Sequence, residues 1–194
     1  MKPTFKKYYF EETAKINGRI SLNDALSIAG EIAEKLDFKY ISPDKIGPNT
    51  KFIKNIIVPV GSIRRQKPDI GDIDLVCTGD IDAYDVERIK GVEKVWARGE
   101  KQIYFNYHAN NGLWRSINIF VLDDPGSFGA FMMHTTGSNV FNIITRRHAK
   151  KYGMKLNQYE LSDATTGENI AGDTEGSIFK ALNMNYIQPN ARIK

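Results

Sequence analysis

Sixteen residues, Gly61-Ser62-Ile63-Arg64-Arg65-Gln66-Lys67-Pro68-Asp69-Ile70-Gly71-Asp72-Ile73-Asp74-Leu75-Val76, constrain what this chain can fold into more than any other stretch. They follow the apolar run Ile56-Ile57-Val58-Pro59-Val60, which reads as a strand entering a Gly-Ser turn. Asp72 and Asp74 then fall two residues apart in a second strand. Extended backbone sends such side chains to one face, roughly 7 Å apart. An Asp-x-Asp pair by itself is most often the solvated edge of a sheet. Here it is preceded by a strand end, a Gly-Ser turn and two arginines, and the combination points to phosphate. A helix turn expected over Ile63 to Gln66 would present unpaired amides and the positive end of its dipole. Gly61 permits close backbone approach, the Ser62 hydroxyl adds a donor, and the Arg65 guanidinium offers a planar fork. Gly71 would bend the chain so that both carboxylates face one pocket. Two carboxylates opposite a polyphosphate form a site for divalent metal.

The remaining chain sets the frame. At 194 residues there is room for one large domain or two small ones, and no ~20-residue apolar run suits a membrane span. The start, Met1-Lys2-Pro3-Thr4-Phe5-Lys6-Lys7, lacks the apolar run of a signal peptide. A soluble protein of a reducing compartment is expected (cytoplasm, nucleus or virion), because the lone Cys77 excludes an internal disulfide and reads as a small core residue. Net charge is only +4, but residues 125–159 hold no Asp or Glu and carry Arg146, Arg147, Lys150, Lys151 and Lys155. One-signed surface of that kind attracts polyanions, although a solvated helix face would look similar.

Ser21-Leu22-Asn23-Asp24 reads as a capping box opening a helix with Leu22, Ala25, Leu26, Ala29, Ile32, Ala33 and Leu36 on one stripe. Asp82 to Lys90 reads as a short helix, Val92 to Ala97 and Gln102 to His108 as a hairpin, and Leu113 to Leu122 as a strand. Asp123-Asp124-Pro125-Gly126 marks a boundary. Beyond it come a helix, a Thr-Gly-Ser turn, a helix ending at Gly153, a hairpin near Lys155 to Leu161 and a last helix from Glu175 to Leu182. The expected class is α+β: a mixed sheet with helices over residues 1–124, then a smaller, mostly helical domain over 125–194.

These motifs together resemble the family X DNA polymerases, the polymerase-beta-like nucleotidyltransferases. Gly-Ser-x-Arg-Arg and Gly-Asp-x-Asp match the family's palm; Thr136-Gly137-Ser138 with Asn142 and Arg146 matches its thumb. Lys155-Leu156-Asn157-Gln158-Tyr159 and Tyr186-Ile187-Gln188-Pro189 resemble its C-terminal segment. The resemblance covers residues 20–194. It implies that Asp72 and Asp74 hold two Mg²⁺ ions (Mn²⁺ as a substitute) and that Gly61, Ser62, Arg65 and Gly71 serve the triphosphate. Gly137-Ser138, in a turn that tends to contain a cis peptide, would lie under the sugar, Asn142 would reach the base edge, and Arg146 would lie toward the template. Arg147, Lys150 and Lys151, with Lys2, Lys6 and Lys7, would grip gapped or primed DNA, and the chain would act as a monomer on a dNTP. Some 60 residues before Gly61 leave no room for the N-terminal modules of larger relatives. The chain thus resembles the compact members of some large DNA viruses and should lack lyase activity.

Three departures stand out. The family's third carboxylate falls at Asn118 within Arg115-Ser116-Ile117-Asn118-Ile119-Phe120. An amide neither takes a proton from a 3′-hydroxyl nor binds metal as well, so a loss of at least ~100-fold in rate is expected. Asp124 lies about 20 Å away along an extended strand and cannot substitute. The asparagine is either a deliberate replacement or the mark of a natural inactive relative. Second, His134 and Thr135 stand where sugar-discriminating members carry an aromatic pair, which implies weaker exclusion of ribonucleotides. The third is the expected lack of the N-terminal modules noted above. His108 and His148 show no partners in the sequence and read as surface residues. A template-independent or small-substrate nucleotidyltransferase, and an inactive DNA- or nucleotide-binding relative, are the alternatives to a template-dependent repair polymerase.

Overall fold

The computed structural model describes residues 18–192, so Lys2, Lys6 and Lys7 lie outside the described residues. Strand β1 (Ile20–Ser21) runs directly into helix α1 (Leu22–Lys35), which Ser21 caps by accepting the Asp24 amide at 3.1 Å. Helical spacing puts Ala25, Ile28, Ala29, Ile32 and Ala33 on one buried face. Strands β2 (Lys39–Tyr40) and β3 (Ile56–Pro59) come next, then a one-turn helix α2 (Gly61–Arg64), β4 (Asp69–Ile70) and β5 (Ile73–Cys77). Helix α2 begins two residues before the position expected from the sequence, because the Arg64 amide bonds back to Val60 O and the Arg65 amide to Gly61 O. Helix α3 (Ala83–Glu87), shorter than expected, precedes a meander of β6 (Val92–Gly99), β7 (Gln102–His108) and β8 (Trp114–Val121).

Six strands form one mixed sheet in the order β2-β3-β5-β8-β7-β6. Its central pair, β5 and β8, is parallel, with Asp74 opposite Asn118 and Ile73 opposite Ile117. Alternation sends Ile73, Leu75 and Cys77 from β5, and Ile117 and Ile119 from β8, into one core with α1. Cys77 sits fully buried there, and burial pushes its thiol up to about 12, so it is inert packing. Strands β1 and β4 pair separately, Ile20 opposite Ile70, and Arg19 donates to Asp69 O at 2.7 Å. This clip fixes the start of α1 against the segment that leads into Asp72.

After a 3-10 turn at Pro125–Ser127 come α4 (Phe128–Thr136) and α5 (Asn139–Lys151). Helix α4 is apolar nearly all round, because it lies between two cores. Phe128, Phe131 and Met132 pack with Val58 and Val76 of the sheet and with Val60 just past β3, whereas Ala130 and Met133 join Phe141, Ile178 and Phe179. Strands β9 (Met154–Leu156), β10 (Leu161–Asp163) and β11 (Asn169–Ala171) then form a small antiparallel sheet, followed by α6 (Glu175–Ala181). The sequence reading had only the hairpin; β11 is three residues long and too short for alternation to reveal. The α+β class expected from the sequence is the one observed.

Gly129 explains how α4 meets α6. A Cβ there would lie 2.0 Å from the Thr174 carbonyl carbon, so only glycine allows the approach.

Candidate active site

The β3 end, the α2 turn and β5 are locked together. Val60 N donates to Asp74 O at 2.9 Å, which holds the Gly61 turn against the Asp74 side chain. Gly61 adopts φ +54, and a Cβ on it would fall 2.3 Å from Asp74 Oδ2. Its close approach is therefore to the carboxylate, a constraint the sequence reading had assigned to phosphate. Helix α2 is a single turn, so its dipole is weak and Arg65 supplies the positive charge.

A cleft of about 410 Å³ opens above this turn, within the range of small-ligand sites. Ser62, Arg65, Asp72 and Asp74 line one wall, and His134, Thr135, Gly137 and Ser138 line the other. Asp72 is exposed and Asp74 partly buried. Burial, then the neighbouring Asp72, pushes the Asp74 carboxyl up to about 6, while Asn118 and Arg65 pull it down. A carboxyl pushed up by burial and by a neighbouring carboxyl suits a hard cation, so the residues fit the implied metal. Among the described residues no group of three or more His, Cys, Asp or Glu side chains is arranged as a metal site.

Asn118 stands beside Asp74 as the parallel register requires, with Nδ2 donating to Asp74 Oδ1 at 3.3 Å. Its Oδ1 accepts from Gln102 Nε2 at 2.8 Å. Gln102 was missed from the sequence. The signal was the hairpin register, which sets Gln102 opposite Phe120, diagonal to Asn118. Gly71 lies outside the cleft wall, where its nearest neighbour would be Arg19.

The opposite wall is the α4–α5 junction. Gly137, with φ +65, ends α4, the Gly137–Ser138 peptide is cis, and the Ser138 hydroxyl caps α5 through the Phe141 amide. The cis bond is where the resemblance led one to expect it. Arg65 donates to the Thr136 carbonyl, and its buried Nε has no hydrogen-bond partner among the described residues. Asn142 Nδ2 donates to His134 O at 2.9 Å and approaches His134 Nδ1 at 3.4 Å. Arg146 Nη2 reaches the same Nδ1 at 3.2 Å. With donors on both sides, Nδ1 is the acceptor, and burial and Arg146 both lower the imidazole's proton affinity. His134 thus joins Asn142 to Arg146 as a neutral ring.

Arg146, Arg147, Lys150 and Lys151 are all exposed on α5, and so are Val140, Ile143 and Ile144, which the sequence reading did not single out. His148 is not a free surface residue, because its Nε2 lies 2.9 Å from Leu182 O and its ring tilts on Tyr152. His108 is exposed and packs on Trp114 at 4.7 Å between centroids.

Arg64 belongs to the two-arginine motif, in which the sequence assigns a phosphate contact to Arg65 alone. It points the other way. Only 2% exposed, it donates to Glu175 Oε2 at 2.6 Å, Glu175 Oε1 at 3.2 Å and the Thr136 hydroxyl at 2.7 Å. Arg192 binds Glu175 Oε1 from the far side at 2.7 Å, and Tyr186 donates to Oε2 at 3.0 Å. The Arg192 guanidinium lies over the rings of Phe141, Phe179 and Tyr186. Burial alone would raise the Glu175 carboxyl, but the two guanidinium groups outweigh it and hold it below the usual carboxylate range.

Residues 131–193 match the DNA polymerase beta thumb family. Over 180 residues the chain is 27% identical to the repair DNA polymerase X of African swine fever virus, a span covering 90% of this chain and 99% of the viral protein. It is also 27% identical over 189 residues to the DNA polymerase/3′-5′ exonuclease PolX of Bacillus subtilis, and there it spans 93% of itself but only 30% of the relative. In fold it resembles the crystal structure of Leishmania infantum polymerase beta in a ternary P/T complex, with a TM-score of 0.74 at 22% identity, covering 97% of this chain and 80% of that one. The chain is thus similar to repair DNA polymerase X of the virus along most of its length, and its C-terminal third matches the polymerase beta thumb. Among the described residues no helix is long and apolar enough to cross a membrane.

Proposed function

We propose that this homologue of the family X polymerases is a template-dependent DNA polymerase that extends a primer 3′-end across short gaps, with residues 1–124 as palm and 125–194 as thumb. One observation carries the reading: Ser62, Arg65, Asp72 and Asp74 meet Gly137 and Ser138 across a single cleft of about 410 Å³.

In this reading Ser62 and Arg65 bind the triphosphate by charge-assisted hydrogen bonds. The Gly137–Ser138 turn supports the sugar, with Thr135 beside it, and Asn142 reads the base edge. Arg146 contacts the template, while Arg147, Lys150 and Lys151 hold phosphates of the duplex. Asp72 and Asp74, with Asn118 as a weaker neutral donor, would hold two Mg²⁺ ions, which supply charge neutralisation and lower the pKa of the attacking hydroxyl. Asn118 cannot accept that hydroxyl's proton, so turnover is slow.

A second reading, an inactive nucleotide or DNA binder, is favoured by one detail: Asn118 turns its NH₂ rather than its oxygen toward Asp74. Primer extension with Mg²⁺ or Mn²⁺ separates the two. Templated addition on a primed strand, and none on an unprimed one, supports the polymerase; addition without a template supports a small-substrate or template-independent transferase. No addition, with intact dNTP binding, supports the inactive binder.

A further inference from the structure

Thr136 is gripped from two sides by consecutive arginines, the last residue of α2 and its C-cap. Arg64 donates to its hydroxyl at 2.7 Å from within the core, and Arg65 donates to its carbonyl from the cleft. That carbonyl belongs to the last turn of α4, which has no helical partner for it. A guanidinium at a helix C-terminus satisfies such a group and suits the local dipole. The Thr136 side chain is fully buried, so its hydroxyl has no path to solvent.

Arg64 is itself aimed. Glu175 takes both of its terminal nitrogens, and Arg192 and Tyr186 hold Glu175 from the far side. The chain of bonds therefore runs from the C-terminal segment through Glu175 and Arg64 to Thr136. Residue 136 immediately precedes the Gly137–Ser138 turn, and residue 64 immediately precedes Arg65. The two walls of the cleft are thus fastened together one residue behind their ligand-facing groups.

We propose that Thr136, held by Arg64 and Arg65, is a positioning residue that sets the separation between the phosphate-binding wall and the Gly137–Ser138 wall. The inference rests on the reading that the cleft takes a nucleoside triphosphate. A ligand that spans both walls gains from their fixed spacing as any two linked binding elements do. A fragment that touches one wall does not. Thr136 makes no contact with substrate in this scheme; it acts through the two turns.

The test compares a spanning ligand with a one-wall ligand. Thr136→Val removes the hydroxyl at nearly constant volume and leaves Arg64 its bonds to Glu175. Binding of a dNTP with Mg²⁺, and of inorganic tripolyphosphate with Mg²⁺, is measured by calorimetry on wild type, Thr136→Val and Thr136→Ser. Expected for Thr136→Val is about tenfold weaker dNTP binding, unchanged tripolyphosphate binding, and recovery of dNTP binding in Thr136→Ser. Thr136→Ala, smaller and also without the hydroxyl, serves should the valine variant fail to fold. Equal weakening of both ligands would show local loosening and overturn the proposal, as would unchanged dNTP binding or no recovery with serine. Failure of the underlying reading shows separately, as wild type that binds neither ligand.

Discussion

Asn118→Asp tests the active-site reading most directly. The substitution preserves shape and keeps the acceptor for Gln102 Nε2, now 2.8 Å away. It turns the 3.3 Å donation from Asn118 Nδ2 to Asp74 Oδ1 into two facing carboxylate oxygens. At that separation, with an effective dielectric of about 20, two unit charges repel by about 5 kcal/mol. Asp74 is already pushed up to about 6, so without metal the variant relieves the repulsion by protonating one carboxyl. A divalent cation relieves it without a proton. The variant should therefore be less stable than the parent without Mg²⁺ and gain more from it, about 2.7 kcal/mol at a concentration of 100 times Kd. Restoring a proton acceptor beside the 3′-hydroxyl should raise the chemical step at least ~100-fold. Thermal melts with and without Mg²⁺ read the first effect, and single-turnover primer extension reads the second. An unchanged extension rate, with dNTP and DNA binding intact, would refute the assignment of residue 118 to the reacting atoms.

Gly61→Ala places a Cβ 2.3 Å from Asp74 Oδ2 at φ +54, and one of the two must move. Calorimetric titration should show dNTP affinity falling by tenfold or more, about 1.4 kcal/mol, and wild-type affinity would contradict the close approach. Glu175, held below the usual carboxylate range by Arg64 and Arg192, gives an acid limb to stability. Because its folded pKa is depressed, its contribution is complete above the unfolded value of about 4.3 and is lost as pH falls through the lower folded value. Urea denaturation from pH 7 down to about 3 should show this loss. Glu175→Gln should flatten that limb while costing about 3–5 kcal/mol at neutral pH, since it leaves two buried guanidinium groups unbalanced.

The carboxylate face was legible because alternation is local: Asp74 and Asn118 each reveal their side of a strand from a few neighbours, whereas Asp72, expected in the same strand, lies one residue before β5 begins. The Gly137–Ser138 turn and the basic face of α5 were legible for the same reason. Arg64 was not. It and Arg65 are identical in type and adjacent on a single helical turn, so nothing local says which enters the core and which enters the cleft. That choice is made by Glu175, 111 positions later, and by Arg192 behind it. Pairings of that span leave no periodic trace. His148 was misread on the same ground, since its partner is a backbone carbonyl 34 positions away. Strand β11 escaped because three residues carry no period.

The parallel pairing of β5 with β8 has a consequence for how this protein can vary. Asp74 and Asn118 are 44 positions apart, yet their contact depends only on the register of two adjacent strands. The intervening α3, β6 and β7 are attached along one side of that register. Lengthening the exposed Glu100–Lys101 turn leaves the spacing of residues 74 and 118 untouched. That turn can carry an inserted tag or fluorophore so long as Gln102, the residue after it, keeps its bond to Asn118: the centre of the cleft is held by neighbours in space.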